Sequence, residues 1–308
     1  MFEFVDIEAT SYCNAKCPFC NRQFMDFEQK HLDIEIIKKL PFERIKKVLL
    51  LGNKGDAIFY NKLHELVQHI VSNYTSKIIL HTNASAHDID WWIELAKTFG
   101  NRGYIVYALD GLEDTHRIHR IGTDWNKVVR NVTAFNNAGG YSICQFIKFK
   151  NNEHQIDDVR RLIKSIGSKK LWIRKSRDYN DVLLRPDGVK TRHELGEDLK
   201  NHRIECTFLE SPSFVLTVDG EIRPCCFMAD DDYKRNFSIH LKEDIKYPQH
   251  IIAYRKDPNS INLKYHPFDA IMKSDYYEAI KHNYNHLFRC NQKCKVTFND
   301  IIDEEFYG

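Results

Sequence analysis

The 308-residue sequence predicts an α/β fold: a partial, TIM-like (β/α)6 barrel followed by a small α+β domain. Three observations carry this. Short runs rich in β-branched and aromatic residues alternate with amphipathic helical stretches as far as Lys175, the pattern of a parallel sheet with crossover helices. The alternation fades beyond Lys175, and a new unit opens at Cys206. With 43% apolar residues, the chain can bury one large domain and a smaller one.

Six strands are expected, at Phe2 to Glu8, Lys47 to Leu51, Lys77 to His81, Tyr104 to Leu109, Ser142 to Phe149 and Lys170 to Arg174. Each is followed by a loop and a helical stretch. Asp33 opens an apolar-periodic segment, Asn61 to Tyr74 has i, i+3, i+4 spacing, and Gly139, Gly140 and Gly167 fall where helices stop. Residues 1–180 form the expected barrel, 181–205 a linker with a short helix near its end, and 206–308 the smaller domain. In that domain, Ser213 to Thr217 and Glu221 to Pro224 flank Val218-Asp219-Gly220, which reads as a hairpin turning at the Asp-Gly pair. Asp230 to Pro267 is polar and irregular, and a helix is expected from Ser274 to His286.

A formal charge of +2 and a pI near 8.0 give no electrostatic signature for nucleic acid or membrane. One local bias exists: between Lys148 and Arg192 basic residues outnumber acidic ones about two to one, which suits a phosphate-bearing substrate or a solvated surface. The start, MFEFVDIEAT, has acids among its apolar residues and no basic run, so it is no secretory signal, and no apolar stretch reaches membrane-spanning length. A cytoplasmic protein is expected. In that reducing compartment the nine cysteines read as thiolate ligands before disulfides.

Cys13, Cys17 and Cys20, in CNAKCPFC, have the C-x3-C-x2-C spacing that holds a cubane [4Fe-4S] cluster with one iron left unliganded. The open iron is a coordination position for a small molecule. Structural zinc instead wants four closed ligands, and this tight triple has no nearby fourth Cys or His at zinc spacing.

The triple, with aromatic Phe19 before its last cysteine, resembles the first-strand motif of the radical S-adenosylmethionine (SAM) enzymes, in which SAM occupies the open iron. The resemblance continues at later strand ends, where parallel α/β folds place ligands. Gly55-Asp56 after strand two looks like the family's Gly-Gly-Glu segment, which contacts SAM's amino group; Asp stands for Glu, and Lys54 replaces a glycine. His81-Thr82-Asn83-Ala84 resembles the Thr-Asn-Gly turn, so Thr82 and Asn83 are implied in the SAM pocket. Ala108-Leu109-Asp110-Gly111 with His119-Arg120 looks like the Ser-Leu-Asp-Gly and downstream Arg of the subfamily with C-terminal cluster domains. There the Arg pairs with SAM's carboxylate, and Ala108 lacks the usual hydroxyl. Gln145, on strand five, is a further implied cofactor contact, and Asn152-Glu153 resembles the pair that opens the next helix.

Cys206, thirteen residues, Gly220, four residues and Cys225 resemble the hairpin of the SPASM and twitch extensions, and Cys290 and Cys294 close the set. Four thiolates make one shell, so the resemblance implies a single auxiliary [4Fe-4S] cluster in a twitch-type domain. The closing C-x3-C departs from the commoner C-x2-C, and a structural zinc with the same four ligands stays open. Cys226 falls outside the set, and Cys144 reads as a small core residue.

The implied chemistry is reductive cleavage of SAM to methionine and a 5'-deoxyadenosyl radical that removes hydrogen from an unactivated carbon, so no side-chain nucleophile is required. An electron donor such as flavodoxin or ferredoxin is an implied partner. The expected substrate is a small molecule or nucleotide undergoing dehydrogenation or bond formation, with a ribosomal or sulfatase-type peptide as the alternative. Nucleic acid stays open as a partner through the basic segment. Arg174, Lys175 and Arg177, at or just past the end of strand six, are candidate contacts for an anionic substrate group. The remaining alternative is a non-catalytic zinc-ribbon binding protein.

Overall fold

Six parallel strands in sequence order build the centre of the sheet: β1 (Phe2–Ile7), β2 (Ile45–Leu50), β3 (Lys77–Thr82), β4 (Gly103–Ala108), β5 (Ser142–Lys148) and β6 (Lys170–Lys175). All six match the expected strands within two residues at each end. This computed structural model describes residues 1–24, 26–176, 179–180, 182–189, 206, 208, 211–229, 249–283 and 302–307. The expected linker lies largely outside them, as do Arg177, Cys290 and Cys294.

The strands form because their alternate residues have somewhere to go. Val48, Leu50, Ile78, Leu80, Ile105, Tyr107, Phe146, Leu171 and Ile173 all belong to one buried core with the helices. Intervening residues occupy the opposite face, since successive strand side chains alternate. Helices α1 (Ile34–Ile37), α2 (Leu63–Asn73), α3 (Ile89–Phe99), α4 (Glu113–His119), α5 (Trp125–Asn137) and α6 (Ile156–Ser165) provide the crossovers.

The best-specified pair is α3 and α5. Asp88 and Asp124 cap them by accepting from Trp91 N and Lys127 N, each worth about 1 kcal/mol. Trp92, Leu95, Ala96 and Phe99 of α3 then share one stripe, and Phe99 meets Phe135 of α5 edge to face at 6.1 Å. Burying each such large side chain stabilises the fold by roughly 1.5–3 kcal/mol.

Two pairings extend the sheet beyond the sequence reading. β7 (Ser213–Leu216) lies parallel to β1, with Val5 opposite Phe214 and Ile7 opposite Leu216, and the short β8 (Ile222–Arg223) completes the expected Asp219-Gly220 hairpin. β9 (Ile302–Tyr307) runs antiparallel to β6. Among the described residues the resulting nine-stranded sheet has the order β8-β7-β1-β2-β3-β4-β5-β6-β9 and does not close.

After the hairpin come α7 (Cys226–Ala229), α8 (Gln249–Lys256), α9 (Phe268–Ile271) and α10 (Asp275–Asn283). α8 lies in the stretch that looked irregular. Phe268 packs on Phe2 and Phe214, with centroids at 5.4 and 4.9 Å, and so anchors this region on the base of β1 and β7. Among the described residues no helix is long and apolar enough to cross a membrane.

Candidate active site at the cysteine loop

Beyond β1 the chain makes a loop that is strapped from both sides. Ser11 N donates to Lys30 O at 3.0 Å, Leu32 N donates to Ala9 O at 2.9 Å, and Ser11 Oγ accepts from Lys30 N at 2.8 Å. Cys13, Cys17 and Cys20 sit in this loop, Cys17 buried and the other two half-buried, where Cys20 N donates to Cys17 O at 3.0 Å and Ala15 N to Cys13 Sγ at 3.4 Å. Arg22 reaches back to the carbonyls of Ser11, Cys13 and Ala15. Phe19 is half-buried and stays outside the hydrophobic core.

Other strand ends close around the loop. Asp56 N donates to Tyr12 O at 2.9 Å, which brings the loop after β2 against the cysteine segment. Gly55 permits that approach: a Cβ there would stand 2.1 Å from Thr10 O. The Asp56 carboxylate is buried and accepts from Thr82 Oγ1 (3.1 Å), Asn83 N (2.7 Å) and Ile58 N (3.2 Å), which joins β2's loop to the end of β3. Burial raises its pKa, against those hydrogen bonds. Asn83 Nδ2 then lies 2.9 Å from Asn14 Oδ1 and 3.6 Å from Cys13 Sγ. Ala84 takes the left-handed φ of +55° where the resembling turn has glycine.

From β4 comes the charged part of the site. Asp110 is fully buried; Oδ1 accepts from Ile147 N at 2.7 Å, while Oδ2 accepts from His119 Nδ1 at 2.6 Å and Arg120 Nε at 2.5 Å. Burial alone would raise its pKa, but Arg120's charge and the His119 bond outweigh it, so the carboxyl is held well below the usual range. Arg120 Nη1 reaches to 3.8 Å from Cys17 Sγ. Behind Asp110, His116 Nδ1 accepts from Asp110 N at 3.3 Å, so the ring is neutral and its Nε2–H faces Thr123 Oγ1 at 3.0 Å. Ala108 is buried beside Gln145 in the β4–β5 register, and Gln145 Oε1 accepts from Arg174 Nη1 at 2.8 Å. Arg174 shares a sheet face with Trp172, whereas Lys175 alternates onto the face of core residues Leu171 and Ile173.

Three loop thiols with amide, asparagine and arginine donors beside two of them fit an iron-sulfur cluster. Burial pushes the Cys13 thiol up to about 12, and it raises Cys17 also, with Arg120 opposing. Buried thiolates therefore require compensating positive charge, which iron supplies. Among the described residues no three His, Cys, Asp or Glu side chains are disposed to hold one metal ion. Thiolates that each bind a different iron of a cube need no such convergence.

Several residues that lacked a sequence signal meet at the seam with the β7–β8 hairpin. Glu8 is buried, and Oε1 accepts from Asn53 N at 2.8 Å. Burial raises its pKa, with Lys54's charge opposing. Asn53 Nδ2 donates to Cys226 O at 3.2 Å, and Lys54 lies 3.7 Å from Asp219 in the hairpin turn. The lysine that interrupts the glycine-rich segment thus links it to the hairpin. Cys206 and Cys225 both pack against the core, and Cys225 O accepts from the N–H groups of Met228 and Ala229 at the start of α7. At the other end of the sheet a cavity of about 570 Å³, lined by Lys77, Arg102, Tyr104, Tyr141, Lys170 and Trp172 among others, holds none of the expected site residues.

Solved structures share this architecture. Streptococcus suis SuiB bound to S-adenosylmethionine superposes with a TM-score of 0.56 at 15% identity, over 73% of this chain and 61% of that one. The chain thus spans about three fifths of SuiB's length. Native anSMEcpe with bound AdoMet gives a TM-score of 0.56 at 16% identity, over 96% of this chain and 88% of that one. The same protein with AdoMet and Cp18Cys peptide gives 0.54 at 16%, with the same coverage. These identities show the fold alone, and no curated protein matches the sequence. The family model of the radical SAM superfamily matches residues 7–165, just over half of the sequence, and takes in the cysteine loop, β2 to β5 and Arg120. The chain therefore belongs to the radical SAM superfamily, whose cofactors are SAM and a [4Fe-4S] cluster.

Proposed function

We propose that the protein reductively cleaves SAM and uses the product to abstract hydrogen from a small molecule or nucleotide in a redox modification. The observation that carries this reading is the meeting of three strand ends on one cysteine loop, with Asn83 at 3.6 Å from Cys13 Sγ and Arg120 at 3.8 Å from Cys17 Sγ. Cys13, Cys17 and Cys20 hold the cluster. When bound, cluster and SAM supply one-electron cleavage and hydrogen abstraction.

The protein's own work is placement. Gly55, Asp56, Thr82 and Asn83 shape the wall that receives SAM's amino acid end, and Arg120, fixed by Asp110, offers the guanidinium edge to its carboxylate. Ala108, Gln145 and Phe19 complete the surround. Of the two described substrate candidates, Arg174 is the one held by Gln145. Lys175 shares the face of the helix-packed core.

Residues 1–180 are the catalytic core in this reading, and 206–308, beyond the 181–205 linker, form a twitch-type domain. Cys206, Cys225, Cys290 and Cys294 hold an auxiliary [4Fe-4S] cluster that takes an electron from substrate. A flavodoxin or ferredoxin in the cytoplasm reduces the first cluster. A peptide substrate is the second reading. It is supported by the match to anSMEcpe bound to Cp18Cys peptide, which spans 96% of this chain.

Anaerobic reduction in the presence of SAM tests the reading. Release of 5'-deoxyadenosine is the expected result, and deuterium carried into it from labelled candidate sugars, alcohols, nucleotides or peptides identifies the substrate. Zinc without iron after reconstitution contradicts it.

A further inference from the structure

Arg22, two residues past the last cysteine of the triple, turns its guanidinium back into the loop. Nη1 donates to Cys13 O at 3.4 Å and Ala15 O at 3.5 Å, and Nη2 to Ser11 O at 3.3 Å. Its other flank is covered by Phe27, whose ring centroid lies 5.5 Å from Cζ. One planar fork therefore gathers three alternate carbonyls around the first cysteine.

The loop needs such a tie. From Tyr12 to Phe19 the chain forms neither helix nor strand, and among the described residues the backbone N–H bonds within the triple are the Cys17–Cys20 turn, Ala15 N to Cys13 Sγ and Lys16 N to Ile121 O at 2.7 Å, none of which ties the carbonyls of Ser11, Cys13 and Ala15 together. Three thiolates can share one cube only while their spacing is held. An ammonium is a point charge and cannot span three carbonyls with fixed geometry, whereas a guanidinium can. The same group places a permanent positive charge beside a cluster whose potential depends on nearby charge and hydrogen bonding.

We propose that Arg22 is a positioning residue for the cluster: it fixes Ser11 to Ala15 in the liganding shape, and its charge raises the cluster's reduction potential. This rests on the assignment of Cys13, Cys17 and Cys20 as ligands. It adds a member to the site from outside the motif.

The test compares four full-length chains reconstituted anaerobically: wild type, Arg22→Gln, Arg22→Lys, and the chain with Cys13, Cys17 and Cys20 all changed to Ser. Iron release to a ferrous chelator and the midpoint potential from a titration followed by electron paramagnetic resonance are the readouts. The iron missing from the triple-serine chain defines the first cluster's share. Arg22→Gln is expected to release that share roughly 10- to 100-fold faster, the usual cost of losing an outer-shell partner, and to titrate at a lower potential. Arg22→Lys is expected to keep a potential near wild type, because its charge remains, yet to release iron fast. If Arg22→Gln does not fold, the lysine variant carries the test alone: iron release at the wild-type rate overturns the proposal. Wild-type release and potential in Arg22→Gln do the same while leaving the ligand assignment intact. Wild-type iron content in the triple-serine chain overturns the assignment and the proposal with it.

Discussion

Arg120 donates through Nε to the buried carboxylate of Asp110 at 2.5 Å, and the same guanidinium carries Nη1 to 3.8 Å from Cys17 Sγ. One side chain thus joins the floor of the barrel mouth to the cysteine loop. Asp110 has the charge and His119 the second bond that keep this cation in place. Asp110→Asn removes the charge and leaves Arg120 partly buried beside a neutral group. Breaking a buried pair in this way destabilises by about 3 kcal/mol or more. Urea denaturation of the iron-free protein checks it, and a loss below about 1 kcal/mol contradicts the pairing.

The two loops that meet at Gly55 give a sharper contrast. A methyl there lies 2.1 Å from a backbone oxygen of Thr10, three residues before Cys13, so one loop has to move. Gly55→Ala is expected to abolish saturable SAM binding by equilibrium dialysis of the reconstituted enzyme. Gly100→Ala is the control: its Cβ meets nothing within 4 Å, but φ is +53°. It is expected to lose about 1–2 kcal/mol of stability and to bind SAM as wild type does.

Acid sensitivity follows from three histidines held neutral. Burial lowers His116 to about 4, with Asp110 opposing and Arg120 adding to the effect. Burial and Arg223's charge do the same for His250, and burial and Arg174's charge for His81. An unfolded histidine titrates near 6.5, so between there and about 4 the unfolded chain binds more protons and stability falls as pH falls. Each contributes a slope of roughly 1.4 kcal/mol per pH unit in that window and none below it. Denaturant midpoints from pH 7.5 to 4.5 read the slope. In His116→Gln a share of roughly 1.4 kcal/mol per pH unit is expected to disappear; an unchanged slope contradicts the neutral assignment.

The hairpin cysteines carry a separate expectation. Cys206→Ser with Cys225→Ser is expected to lower reconstituted iron from about eight to about four per chain and to preserve SAM cleavage. Iron analysis beside 5'-deoxyadenosine assays decides it, and an unchanged iron count refutes a cluster at those residues.

The six barrel strands were legible because each is a β-rich run ended by turn residues and followed by a helical period. The cysteine loop, Asn83 and Arg120 were legible because their chemistry sits at fixed spacing from a strand end. The β1–β7 pairing was not, since a parallel neighbour more than two hundred positions away leaves no local mark. Helix α8 was missed because it buries only His250, Ile251 and Tyr254 and so has little apolar periodicity. Asn53 bonds a backbone oxygen 173 residues distant, and Arg22 reaches carbonyls, which any sequence provides. Lys54 looked like a flaw in a glycine-rich motif and is instead its contact with Asp219.

The most direct measurement is 5'-deoxyadenosine release from SAM under anaerobic reduction, by wild type and by the chain with Cys13, Cys17 and Cys20 changed to serine. Release by the first and none by the second is the expected result. Equal release by both contradicts the assignment of these three thiolates as the ligands of the SAM-binding cluster.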